Sequence, residues 1–172
     1  MRLRSMIPAV ALAVLMTGCA VFPPVSPVEP GMTAQQVYIA RGNPSFVYPD
    51  GKGGSILEWA TNDLDQYAYM AELDANGIVT WYGNVRSDER FAKIKVNRST
   101  KEDVLKTLGH PSDAEYLHLR KQEVWSYRYH EEGIWNSMMH FYFDGDGVVR
   151  HVEKGMDDLD LRDGSSLFSF GF

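Results

Sequence analysis

Apolar residues recur at every second position in several short stretches of this chain. Trp125, Tyr127 and Tyr129 alternate with Val124, Ser126 and Arg128, and Met139, Phe141 and Phe143 alternate with Met138, His140 and Tyr142. Residues 148–152 close that series. An earlier series runs through residues 56–60, 67–73 and 78–82, with Tyr67, Tyr69, Ala71 and Leu73 on one face. Period two with aromatic and β-branched enrichment predicts half-buried strands. Helical spacing is confined to two places. Thr33 is a candidate N-cap with Gln36 three residues on, and Gly42 with Pro44 ends that helix. Ser99 or Thr100 caps the second; Glu102 and Asp103 suit its positive end, and Val104, Leu105 and Leu108 form its buried stripe. Arg41 stands where Leu108 does, so the first helix is expected to pack less deeply.

The two series are alike in order and spacing. Thr33-x3-Val37-x4-Gly42-x-Pro44 returns as Thr100-x3-Val104-x4-Gly109-x-Pro111, displaced by 67 residues. Leu73-Asp74-Ala75-Asn76-Gly77-Ile78-Val79 returns as Phe143-Asp144-Gly145-Asp146-Gly147-Val148-Val149, displaced by 70. Leu57-Glu58-Trp59 and Trp125-Ser126-Tyr127 lie between. Four anchors in one order at nearly constant offset predict an internal duplication. The expected fold is α+β: a tandem repeat of helix plus antiparallel β-meander, with the helices packed on one face of the sheet and one core shared by both halves. Repeat one takes residues 31–83, an inter-repeat segment 84–97, and repeat two 98–154. Phe91 and Ile94 are the candidate core residues of the connecting segment.

The N-terminus reads as an export signal. Arg2 and Arg4 precede an apolar stretch from residue 6 to residue 16, too short for a stable transmembrane helix. Leu15-Met16-Thr17-Gly18-Cys19 resembles a bacterial lipobox, in which the cysteine is diacylated and becomes the mature N-terminus. Cys19 is the chain's only cysteine. The resemblance implies a signal peptide over residues 1–18 and lipid on Cys19. Ala20 in place of Asp implies sorting to the periplasmic face of the outer membrane. Residues 19–30 hold four prolines and are expected to form an extended tether.

Charge and cysteine content then narrow the function. Without residues 1–18 the chain carries 15 basic and 23 acidic residues, a net charge of −8. That argues against nucleic acid, whose binding depends on neutralising phosphates, and against a polybasic membrane patch. With the single thiol acylated, no disulfide is expected, and stability rests on core burial.

Candidate chemistry is sparse. Asp144-Gly145-Asp146-Gly147 has the wrong ligand spacing for a calcium loop and fits a hairpin turn. The histidines, His110, His118, His130, His140 and His151, lack metal-site spacing, although His140 and His151 fall on adjacent predicted strands. Residues 50–55 have the wrong residue order for a phosphate loop and are read as a hairpin tip. No catalytic residue, metal, cofactor or small-molecule substrate is expected.

Gly31-Met32-Thr33-x3-Val37-x4-Gly42-x-Pro44, an aromatic strand and the Asp-x-x-Gly turn together resemble the SmpA/OmlA, or BamE-like, outer-membrane lipoprotein domain. The likeness covers about residues 28–153, and the doubled layout is similar to the β-lactamase-inhibitor-protein fold. It implies a non-catalytic protein-binding or assembly module in the cell envelope. Its partner would be an envelope protein, such as a β-barrel or the machinery that assembles barrels. The alternative is an inhibitor of a periplasmic or extracellular enzyme, with residues 51–55 as the inserted loop.

Residues 155–172 form an acidic, then aromatic, tail. Phe168, Phe170 and Phe172 alternate at its end and are candidate partner-binding residues, as are the strand aromatics Trp81 and Tyr82. A partner's sheet edge would accept such a strand. A tail folded back on its own domain is the other reading.

Overall fold

Short polar motifs decide where this chain turns helical. The Thr33 hydroxyl accepts from the Gln36 amide while the Gln36 side chain accepts from the Thr33 amide, a closed capping box at the head of α1 (Ala34–Arg41). Each such cap is worth about 1 kcal/mol. Gly42 ends the helix at φ 78°, a backbone region open to glycine. The computed structural model describes residues 27–60 and 62–157. The signal peptide, Cys19, most of the tether and the tail residues Phe168, Phe170 and Phe172 therefore lie outside the described residues.

Four strands follow α1: β1 (Phe46–Pro49), β2 (Ser55–Trp59), β3 (Tyr69–Leu73) and β4 (Val79–Asn84). They pair antiparallel in the order β1-β2-β3-β4. A four-residue helix, α2 (Asp88–Phe91), leads to α3 (Lys101–Leu108), which opens on a second capping box between Thr100 and Asp103. Then come β5 (Asp113–Leu117), β6 (Gln122–Glu131), β7 (Trp135–Phe143) and β8 (Val149–Met156), paired in the order β5-β6-β7-β8. Each sheet carries one register shift, at Glu72/Leu73 and at Tyr142/Phe143.

This corrects the expected fold class. The described residues form mostly two antiparallel four-stranded sheets, with 43% of them in strands and 15% in helices, and not a helix-plus-meander tandem with helices packed on the sheet. The reason lies in helix length. An eight-residue helix makes about two turns, and α1 buries only Val37 while α3 buries only Val104 and Leu108. Strand side chains must supply most of the apolar burial. Each sheet also has an edge strand, β1 or β5, that the alternation did not predict. Phe46-Val47-Tyr48-Pro49 is short and ends in proline, and Asp113-Ala114-Glu115-Tyr116-Leu117 is exposed at four of five positions.

The shared core is corrected as well. One cluster joins Phe91, Ile94, Val104 and Leu108 to Trp125, Tyr127, Tyr129, Phe141, Phe143 and Val149. A separate one joins Val28 and Val37 to Leu57, Trp59, Ala71, Leu73 and Val79. A third, smaller cluster of Ile56, Ala68, Met70 and Val85 lies on the other face of the first sheet. β2 is consequently buried at four successive positions, as expected of a strand covered on both faces.

Candidate functional site

The second half of the chain reaches back onto the first sheet at a polar joint. Glu58, in the middle of β2, is 1% exposed. Its Oε2 accepts from the Tyr48 hydroxyl at 2.5 Å and lies 3.0 Å from His110 Nδ1; its Oε1 accepts from the His110 amide at 2.8 Å. His110 Nδ1 is also 3.0 Å from the Tyr48 oxygen. Because the Tyr48 proton points at Glu58, both neighbours of Nδ1 are acceptors, which assigns the ring proton to Nδ1. Phe46 stacks on the imidazole at 3.8 Å. Burial raises the Tyr48 hydroxyl pKa, and the bond to Glu58 raises it further.

Arg86 completes the joint. It is buried, and its NH1 donates to the Asp65 carbonyl and the Ser112 hydroxyl, both at 2.6 Å, while NH2 donates to the His110 carbonyl at 3.3 Å. Burial lowers its pKa from the usual guanidinium value, and the nearby Glu58 charge acts in the opposite sense. A buried carboxylate and a buried guanidinium are tolerated here because each is surrounded by partners. Chemically the joint is a clamp. The Ser112 hydroxyl accepts from Arg86 and from the Arg128 amide.

Trp81 and Tyr82 are adjacent on β4 and so point to opposite faces of the sheet. The Arg90 guanidinium lies 3.5 Å from the Trp81 ring centroid and donates to Glu72 at 2.9 Å. Tyr82 stacks on Tyr69 at 5.7 Å, with Arg41 5.8 Å from its ring. Both aromatics are half-buried and engaged within the molecule. An open groove of about 590 Å³ runs beside Arg90 between the halves, lined by Lys52, Glu72, Lys93 and Lys106 among others.

The other candidates resolve into local structure. Asp144 Oδ1 accepts from the amides of Asp146 and Val148, and Asp74 Oδ1 from those of Asn76 and Ile78. Those amide bonds are the main cause of the lowered pKa of each aspartate. His140 Nδ1 meets Ser126 Oγ at 2.8 Å, and His151 lies beside Tyr142 and Glu153. Among the described residues, no group of three His, Cys, Asp or Glu is placed to hold a metal. In the 50–55 hairpin, Asp50 Oδ1 accepts from the amides of Lys52 and Gly54, closing the loop on itself.

What the polar sites leave is exposed apolar surface. Leu119 stands fully exposed at the tip of the β5–β6 hairpin, with Tyr116 and His118 in edge contact beside it. Ile134 and Trp135 stand exposed at the β6–β7 turn, and Phe46 and Val47 on the β1 edge. The alternation pattern had no signal for these positions, which lie in turns, on edge strands or, for Trp135, at the first residue of β7.

No curated protein matches the chain. Two solved structures are similar to it in part. A DUF4309 family protein from Bacillus subtilis is 19% identical, covering 73% of this chain and 78% of that one, with a TM-score of 0.31. An extracellular protein containing an SCP domain, from Bacillus anthracis, is 16% identical, covering 77% and 45%, with a TM-score of 0.27. Residues 83–153, from the end of β4 through most of β8, match the family described as the outer membrane protein assembly factor BamE domain, and this stretch is similar to that domain.

Proposed function

We propose that this protein is an outer-membrane-anchored periplasmic lipoprotein that binds another envelope protein during outer-membrane assembly or maintenance, without catalysing a reaction. The observation that carries this reading is the BamE-domain match over residues 83–153. The geometry supports it. Glu58, Tyr48, His110 and Arg86 are engaged with one another and with the backbone. Large apolar side chains at the hairpin tips are open to solvent, and exposed aromatic and aliphatic anchors are what protein interfaces use. Lipid on Cys19 would hold the chain at the inner leaflet, and the proline-rich segment would give it reach.

We further propose that the two halves are copies of one unit. The Thr33 and Thr100 capping boxes, and the isolated bridges Thr33↔Ile78 and Thr100↔Val148, support that reading. Binding is then assigned to Leu119, Tyr116 and Trp135, with Trp81 and Tyr82 as inner supports. The test is photo-crosslinking in intact cells from a photoreactive residue placed at 119, 135 or, as a control, 80. Capture of a barrel protein or an assembly-machinery subunit from 119 or 135 is the expected result. Equal capture from all three positions, or capture of a soluble enzyme alone, overturns the proposal and in the latter case favours the inhibitor reading.

A further inference from the structure

β1 and β4 are the edges of the first sheet, β5 and β8 those of the second. An edge strand offers a row of unpaired amides and carbonyls, and proteins block such rows with proline, charge or a cover. Three of these edges are blocked. β1 is four residues long, ends in Pro49, and has Phe46 stacked on His110. The head of β4 is bonded to the backbone of residues 31 and 32, and its two aromatics each carry an arginine, Arg90 over Trp81 and Arg41 over Tyr82. β8 holds charges of both signs, with Arg150 bound to Asp144, Glu153 to Tyr142 and Lys154 to Glu131. β5 is different. It is exposed at four of its five positions, and among the described residues none makes a backbone hydrogen bond to its outer side.

The side chains of β5 divide by face. Asp113 and Glu115 stand opposite Ser126 and Val124 of β6, on the face away from the core. Ala114 and Tyr116 stand opposite Glu123 and the core residue Trp125, on the other face. Neither acidic side chain has an ion-pair partner among the described residues. Tyr116 is 50% exposed, and Leu119, two residues beyond the strand, is fully exposed. The open edge is therefore acidic on one face and apolar on the other, over a length of about 17 Å.

We propose that β5 accepts an extended segment of the envelope partner as a fifth strand of the second sheet, and that this segment is basic at alternate positions and apolar between them. The proposal rests on the binding reading above and adds the form and charge of what is bound. Backbone pairing supplies affinity, and the alternate side chains supply specificity. Lysine or arginine of the segment lies against Asp113 and Glu115, and an aromatic or β-branched residue lies against Ala114 and Tyr116. The same carboxylates disfavour a second copy as the occupant. Two β5 strands paired antiparallel bring their acidic side chains together, and like charges directly opposite one another destabilise a sheet.

The probe is a seven-residue peptide that alternates lysine with valine or tyrosine, added to the mature protein. A second peptide has glutamate for every lysine, and a third has the first one's composition with its lysines in one block. Amide hydrogen exchange, followed residue by residue by NMR, reads the result. The alternating lysine peptide should slow exchange in residues 113–117 by at least about tenfold and leave residues 80–84 and 150–156 unchanged. The other two peptides should give no protection there. Asp113→Lys/Glu115→Lys should reverse the preference between the two alternating peptides. Both side chains are exposed, so the fold is retained, and unchanged exchange in β6 and β7 verifies it. Three results overturn the proposal: no protection by the lysine peptide at millimolar concentration, equal protection by the blocked peptide, or a preference that the double variant leaves unaltered. In cells, the same variant should lose the crosslink from position 119. A crosslink that persists overturns strand pairing at β5 and leaves envelope binding intact, whereas absence of any capture by the unaltered protein counts against envelope binding, and the peptide result then decides β5 by itself.

Discussion

Glu58 and His110 are 52 residues apart in the chain, yet the carboxylate takes both the backbone amide and the ring nitrogen of the histidine. One buried side chain of the first sheet thus anchors the end of α3. Replacing it should weaken the contact between the halves. Glu58→Ala leaves the Tyr48 hydroxyl and the His110 amide without their acceptor, and should cost about 2–4 kcal/mol. Glu58→Gln keeps one acceptor oxygen and should cost less. Urea unfolding measures both. A loss below about 1 kcal/mol for Glu58→Ala would mean that water replaces the carboxylate freely.

The glycines that end the two long helices should differ in tolerance. Gly42 and Gly109 both sit at positive φ, but a Cβ on Gly42 meets nothing within 4 Å, whereas one on Gly109 would lie 2.6 Å from Glu58 Oε1. Gly42→Ala should cost about 1 kcal/mol from backbone strain. Gly109→Ala should cost at least about 1 kcal/mol more, because Glu58 must give up hydrogen bonds to move. Equal unfolding midpoints for the two variants would contradict the joint.

Unfolding of the unaltered protein should be a single transition even though each half has its own core. Val37 and Val104 are both fully buried, one in each cluster. An aspartate at either site places an unpaired carboxylate in apolar surroundings at a cost of several kcal/mol. If the joint couples the halves, Val37→Asp shifts signals from both sheets together in thermal unfolding. Combining it with Glu58→Ala should separate the two transitions.

Acid should weaken the molecule through its aspartate turns. Asp74 and Asp144 have folded-state pKa values below their ordinary range, caused first by the amides of Ile78 and Val148. A depressed folded pKa adds stability above the unfolded value, and that stability is lost as pH falls through the folded one. The double variant Asp74→Asn/Asp144→Asn keeps an acceptor in each turn but cannot titrate. Its stability should fall less steeply between about pH 5 and pH 2 than that of the parent, as read by urea midpoints.

The anchor makes a prediction independent of the fold. Cys19→Ser should release the chain from the membrane fraction, or leave it with its first 18 residues attached. An unchanged mature mass and unchanged outer-membrane fractionation would remove the lipoprotein reading.

What the residues alone determined is the local structure. The capping partners Thr33 with Gln36 and Thr100 with Asp103 lie three residues apart, and the Asp74 and Asp144 turns close within five. The alternating aromatic runs became β3, β6 and β7, because period two is a property of a single extended strand. The edge strands β1 and β5 left no trace in that pattern, since a strand paired on one side and open to solvent needs no apolar face. The division into two sheets, and the Glu58–His110–Arg86 joint that connects them, were decided only by tertiary structure. Glu58 sits between Leu57 and Trp59 in a strand covered on both faces. Nothing within a few residues of it announces a charge that will be buried, because the groups that make burial tolerable arrive from Tyr48 and from beyond residue 108. Their approach depends on both sheets having formed.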